Sequence, residues 1–287
     1  MSHTVSAPSA PSAPSSPATH AELAVRNREI ARRGIRDATR ILAGRYRLPD
    51  RSAGFTLLRE ASQRHNVKLH TVADAINHIR APASARAWFP GRARAAPPVA
   101  TALHWNPVAG RTRDWQYGDF TKQVLRQSLA VAGAQGGSVH VVESDLLRLE
   151  HQHNLDGPFS DCFAFVRDTD SLSYRQLAST SQVTVRDLRH AGHFLDAGPH
   201  TALLRSGARA CHSVPLLDGE RRLMGVVWAH YTRPLPSTLR DPQLMALNTL
   251  GTQAGAWLSW HRRTVVLDAL EHLHHLATHY PSAPCTG

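Results

Sequence analysis

The side chains best suited to chemistry in this chain are cationic, and they are concentrated. Between Ala21 and Ala95 stand 16 Arg and Lys against 6 Asp and Glu, a net of +10; residues 96–287 carry 17 against 16, and residues 1–20 none, which closes on the total of +11. Arginine supplies nearly all of this charge, since Lys68 and Lys122 are the only lysines. Guanidinium forks suit phosphate and base edges, so a local excess of this size is a footprint for a polyanion, with nucleic acid the first candidate. Arg32, Arg33, Arg36 and Arg40 recur at helical spacing, and Arg45, Arg59, Arg64 and Lys68 follow around a polar break. Ser62, Gln63 and Asn66 cluster at that break, where hydroxyl and amide groups suit base edges and ribose hydroxyls. The competing reading is a solvated basic face, with Asn66 merely capping a helix. Asp37 and Glu60 are spaced to pair with neighbouring arginines.

These residues need a scaffold, and the apolar periodicity supplies one. Ile30, Ile35, Ala38, Ile41 and Leu42 fall on one helical face; Pro49-Asp50 then ends that helix and starts another, with Asp50 as N-cap. Phe55, Leu58 and Ala61 supply the second apolar face, and Leu69, Val72, Ala73, Ile76 and Ile79 the third. A small three-helix bundle is predicted over residues 21–80, with a core too modest to be very stable alone. The Ala/Pro/Ser repeats of residues 1–20 are expected to be a disordered tail, and the Pro-rich stretch 81–112 a linker.

From residue 113 the pattern turns to mixed helix and strand. Tyr117 to Val131 reads as an amphipathic helix, Ser138 to Val142 as a strand, and Leu146 to His151 as its pairing partner. Val183 to Val185, Ala210 to Leu216 and Leu223 to Tyr231 read as further strands, the last two joined by the Asp218-Gly219 turn. Leu244 to about Leu276 reads as one long helix. The expected fold class is therefore α plus α/β: the helical bundle, then residues 113–262 as a central antiparallel sheet flanked by helices, then a C-terminal helix and tail over 263–287.

Other chemistries find little support. Cys162, Cys211 and Cys285 form no C-x-x-C pair, so neither a disulfide framework nor a zinc site is expected, and a reducing cytoplasm fits. Cys162, between Phe159 and Phe163, reads as a buried small hydrophobe. His190 with His193, and His272 with His275 and His279, have weak metal-ligand spacing; loop and tail roles are preferred, and no metal is expected. The chain lacks G-x-S-x-G, phosphate-loop, H-E-x-x-H and deaminase patterns, and Ser213, His212 and Asp187 look like a chance assortment, so no catalytic residue and no enzyme is expected. No run of about 18 apolar residues suggests a membrane span, and the N-terminus lacks the features of a secretory signal.

Three blocks in the basic module resemble the ANTAR domain, an RNA-binding module of bacterial transcription antiterminators. They are Ala38-Thr39-Arg40-Ile41-Leu42-Ala43-Gly44-Arg45, then Gly54-Phe55-Thr56-Leu57-Leu58-Arg59-Glu60-Ala61-Ser62, then Asn66-Val67-Lys68-Leu69-His70-Thr71-Val72-Ala73. The chain departs from the family pattern with Thr39 for lysine, Arg40 for glycine, Ala43 for methionine and Gly54 for alanine, so the first-helix charge sits one residue along. The second module resembles a GAF domain through Gln182 to Asp187, Gly207 to Leu216 and Leu223 to Val227, but without the Asn-Lys-x-x-x-Phe-x-x-x-Asp-Glu cyclic-nucleotide signature. The resemblance implies a cytoplasmic antitermination regulator that binds hairpin RNA under control of a sensor module with an unidentified small-molecule ligand and no other cofactor, in the reverse of the usual domain order. A homodimer is expected, with the C-terminal helix and the start of the first helix (Leu23, Ile30) as its seam. The alternatives are a DNA-binding helix-turn-helix regulator and a protein–protein signalling module that touches no nucleic acid.

Overall fold

The computed structural model describes residues 20–104, 117–144, 146–167, 181–190 and 197–280. Cys285, His193 and the tail 1–19 lie outside the described residues, as do the side chains of His20, Ala21, Leu23 and Ala24.

Three helices open the chain: α1 (His20–Tyr46), α2 (Arg51–His65) and α3 (Leu69–His78). Asp50 caps α2, its carboxylate accepting from the Ala53 N–H at 2.8 Å. α2 ends at Asn66, whose N–H donates to the Ser62 and Gln63 carbonyls and whose left-handed backbone (φ 51°, ψ 40°) turns the Val67 N–H back onto the Ser62 carbonyl at 3.0 Å. Asn66 is thus the C-cap of α2 rather than the N-cap of α3, where Lys68 stands without a side-chain cap bond. Helices α1 and α2 cross closely because Gly54 has no side chain: a Cβ there would lie 2.8 Å from the Thr39 carbonyl oxygen.

The second module follows as α4 (Tyr117–Ala132), β1 (Gly136–Glu143), β2 (Leu146–His153), α5 (Gly157–Phe163), β3 (Phe165–Arg167), β4 (Val183–Val185), α6 (Ala197–Arg205), β5 (Ala210–Leu217) and β6 (Leu223–Tyr231). The six strands form one antiparallel sheet in the order β3-β2-β1-β6-β5-β4. Helix α7 (Asp241–His261) packs with α4 on one face, where Phe120 stacks on Trp257 at 3.8 Å over Val139, Val214 and Val227. α7 reaches β5 through Gly251 and Gly255, where a Cβ would lie 2.5 Å from the Pro215 oxygen and 2.2 Å from the Leu217 oxygen. α5 and α6 cover the other face with Phe159, Phe163 and Leu203 against Val226 and Trp228.

The two modules are joined at several places. After α7 the chain makes a π-helical turn, Arg262–Val266, and continues as α8 (Leu267–Thr278). Val266 of the turn and the apolar stripe of α8 — Ala269, Leu270, Leu273 and Ala277 — are buried in the same core as Leu42, Leu57, Leu58, Val72 and Ile76 of the first three helices. The expected three-helix bundle is therefore a four-helix unit closed by the far end of the chain. That supplies the core the first three helices lack. It also removes α8's apolar stripe from the expected dimer seam. The described part of the stretch expected to be a linker, residues 81–104, is anchored at points: Trp88 is 5% exposed, and the Trp88 and Phe89 N–H groups donate to Glu271 at 2.9 and 3.1 Å. Leu270, fully buried in the shared core, supports a direct test. Leu270→Ala should lower the stability of the α1–α3 unit by about 2–5 kcal/mol, seen as accelerated amide exchange in α1–α3 as well as α8. Protection unchanged in α1–α3 would show that the bundle stands without α8.

Candidate nucleic-acid interface

The predicted cations divide into a displayed set and an engaged set. Arg32, Arg33, Arg36 and Arg40 are exposed on the solvent arc of α1, and Arg59, Gln63, Arg64 and Asn66 are exposed along α2 and at its end. Their charge is partly balanced: Arg33 and Arg40 share Asp37 at 3.7 and 3.8 Å, and Arg36 donates to Glu29 at 2.8 Å. All of these pairs lie on the surface, where solvent and salt weaken them, so the guanidinium groups remain exchangeable towards phosphate. Glu60, which the sequence placed near arginine, is exposed and makes none of the ion pairs found among the described residues.

Three predicted contacts are turned inward. The Arg45 guanidinium lies over the Trp88 ring at 5.0 Å. Ser62 donates its hydroxyl to the Val67 carbonyl at 2.6 Å and so braces the α2–α3 turn. Lys68 pairs with Glu150 on β2 and sits 5.4 Å over the Tyr117 ring. The Glu150 side chain is only 2% exposed, so its carboxylate depends on that ammonium. No spacing rule could have shown this, because Lys68 and Glu150 are 82 residues apart.

Lys68 belongs to a wider polar seam between α3 and the β1–β2 hairpin. His70 Nδ1 lies 2.7 Å from Glu143, which also accepts from Arg148. Burial by itself would raise the Glu143 carboxyl, but the hydrogen bonds and charges of His70 and Arg148 outweigh it and hold it below its ordinary value. Ser144 donates to Asp74. Beside this seam, a cleft of about 470 Å³ opens between α1, α3 and the hairpin, walled by Arg33, Arg40, Asn77, Glu143 and Arg148. The seam thus borders the displayed arginines.

Among the described residues, the other side-chain groupings offered by the sequence do not come together. His212 bonds Thr184 at 2.8 Å and Gln182 at 2.9 Å, Ser213 bonds the Val183 backbone, and Asp187 pairs with Arg189, so these three residues form separate networks. Cys162 and Cys211 are buried, and burial pushes the Cys211 thiol up to about 12, far from a reactive thiolate. Among the described residues no group of three His, Cys, Asp or Glu is placed to hold a metal. The His275 and His279 rings lie 4.5 Å apart and tilted at 48°, while His272 instead faces His65 at 5.3 Å.

Residues 23–76 match the ANTAR domain model, and residues 118–258 match the GAF domain model. The chain carries an ANTAR domain followed by a GAF domain. The two matches coincide with the basic helices and with the antiparallel sheet and its helices. No curated protein matches the chain. Among solved structures, a domain of a two-component sensor histidine kinase protein from Sinorhizobium meliloti 1021 is 16% identical, with a TM-score of 0.42 over 51% of this chain and 92% of that one. A GAF domain/HD domain protein from Geobacter sulfurreducens is 13% identical, with a TM-score of 0.43 over 50% and 91%. The PixJ GAF domain of Thermosynechococcus elongatus in its blue-light absorbing form is 13% identical, with a TM-score of 0.40 over 53% and 89%. Among the described residues no helix is long and apolar enough to cross a membrane.

The ANTAR–GAF seam yields a double-mutant test. Lys68→Ala leaves Glu150 buried beside Tyr117 without its cation, and should cost about 2–3 kcal/mol, below the usual figure for a buried pair because Lys68 is 36% exposed. Adding Glu150→Gln should recover most of that loss in urea unfolding. Additive losses would mean the two residues do not interact.

Proposed function

We propose that this protein is an RNA-binding transcription antitermination regulator. In this reading the basic face of the ANTAR domain grips hairpin loops in nascent transcripts, and the GAF domain controls that grip. The observation that carries it is the displayed set of arginines on α1 and α2, within a module whose blocks match the ANTAR domain model. A hairpin loop offers both phosphates and unstacked bases, which suits guanidinium groups beside Gln63 and Asn66. The turn between α2 and α3, braced by Ser62, lacks the glycine common in a helix-turn-helix, which favours RNA over duplex DNA.

Control by the GAF domain has two physical routes. α7 packs on the sheet and α8 in the ANTAR core, so a shift of one moves the other through the π-helical turn. Lys68, a candidate RNA contact, is held by Glu150 of the sheet, so its release depends on the β1–β2 hairpin. A small-molecule ligand on the α5 side of the sheet is supported by Ser138 Oγ and both ring nitrogens of His230, which are buried without hydrogen-bond partners among the described residues. Burial pulls the His230 ring down to about 3, so the group is neutral and free to donate or accept.

The test is binding of a hairpin RNA and a duplex DNA of equal charge at several salt concentrations. With about five phosphate contacts, such as Arg32, Arg36, Arg40, Arg59 and Arg64 provide, log affinity for the hairpin should fall against log salt with a slope of about −3.5. Arg36→Ala, Arg40→Ala and Arg59→Ala together should reduce that slope by about 2. Preference for the duplex would favour the DNA reading, and flat binding across salt would favour a module that touches no nucleic acid.

A further inference from the structure

Phe55 is the residue of α2 whose placement departs most from its sequence pattern. Its spacing puts it on one apolar face with Leu58 and Ala61, yet those two are fully buried and Phe55 is 39% exposed. At 100° per residue, Phe55 shares its side of α2 with Arg51 and Arg59, one turn before and one turn after it. Both arginines are exposed, and neither is ion-paired to a carboxylate among the described residues. Ser52, Thr56 and Gln63, also exposed, complete the same surface. On α1, by contrast, Arg33, Arg36 and Arg40 each share a carboxylate. The close crossing of α1 and α2 at Gly54 fixes the backbone immediately before Phe55, so the ring is carried on a rigid element.

We propose that Phe55 is a stacking platform for an unpaired RNA base, with Arg51 and Arg59 taking the phosphates on either side of that nucleotide. This rests on the RNA-binding reading above and adds two residues, Phe55 and Arg51, to its contact surface. An exposed ring between two guanidinium groups matches the repeat of single-stranded nucleic acid, where a base face alternates with a charged phosphate. Every base has such a face, so the platform tolerates loop sequence while demanding that one base be unstacked. A continuous duplex keeps its bases stacked and offers the ring nothing.

The test uses the full chain and a pool of RNA hairpins that share one stem and carry a fully randomised loop, with the same stem closed into a blunt duplex as control. Phe55→Ala and Phe55→Leu should each weaken hairpin binding about tenfold, since leucine keeps apolar volume but has no π-face. Phe55→Trp should bind at least as tightly as the parent, and its added fluorescence should be quenched by the hairpin but not by the duplex. Thermal unfolding should be little changed in all three variants, because the ring is substantially exposed. Arg51→Ala and Arg59→Ala should weaken hairpin and duplex alike. Hairpin affinity unchanged in both Phe55→Ala and Phe55→Leu, while Arg59→Ala still weakens binding, would overturn the platform and leave the RNA reading standing. Equal losses on hairpin and duplex would also overturn it. No binding of the hairpin pool by the parent chain would overturn both.

Discussion

The burial of α8 against α2 is the constraint on which the molecule's organisation depends. Val266, Ala269, Leu270, Leu273 and Ala277 form a stripe that water would penalise, and Leu57, Leu58 and Ala61 of α2 belong to the same buried core. Because α8 continues from α7 through a π-helical turn, that burial ties the ANTAR core to the helix packed on the GAF sheet. A module at the amino end is thereby completed by residues near the carboxyl end. The reversed domain order then presents no obstacle to coupling, since the sensor's last helix returns to the module it is proposed to control.

Around this apolar tie runs a polar one with a different character. The α3–hairpin seam is built from Lys68–Glu150, His70–Glu143–Arg148 and Asp74–Ser144. Such pairs contribute modest net stability because desolvation offsets attraction, but they are specific in geometry and costly to half-break. An apolar core holds the modules together, and a charged seam sets how they sit. The Glu143 carboxyl is depressed by its partners, so its contribution is complete above its ordinary value near 4.5 and is lost as pH falls through the lower native value. At neutral pH the Glu143 carboxylate is ionised.

Much of this was legible in the sequence. The period of α1, α2 and α3, the Asp50 cap, the strands from β1 to β6 other than β3, and the long terminal helix all follow from local pattern and turn chemistry. What local pattern could not show were the partners. α8 reads as amphipathic, but nothing in its own residues says that its apolar side faces α2 rather than another copy. Residues 81–104 have no periodicity because they are held by point contacts, such as Trp88 and Phe89 on Glu271, that span more than 180 residues. Phe55 kept the apolar spacing of a core position while facing solvent, since spacing gives the helical face and not what covers it. Arg45 and Lys68 counted as free charge until Trp88 and Glu150 were placed beside them.

RNA recognition in this proposal rests on the exposed basic side of α1 and α2 holding looped RNA. The most direct measurement is ultraviolet crosslinking in living cells, with the bound nucleic acid sequenced and the crosslinked peptides identified by mass spectrometry. Hairpin-forming RNA should be recovered, with nucleotide adducts on peptides between Arg51 and Arg64. Adducts confined to the GAF domain, recovery of DNA in place of RNA, or no adduct at all would contradict it.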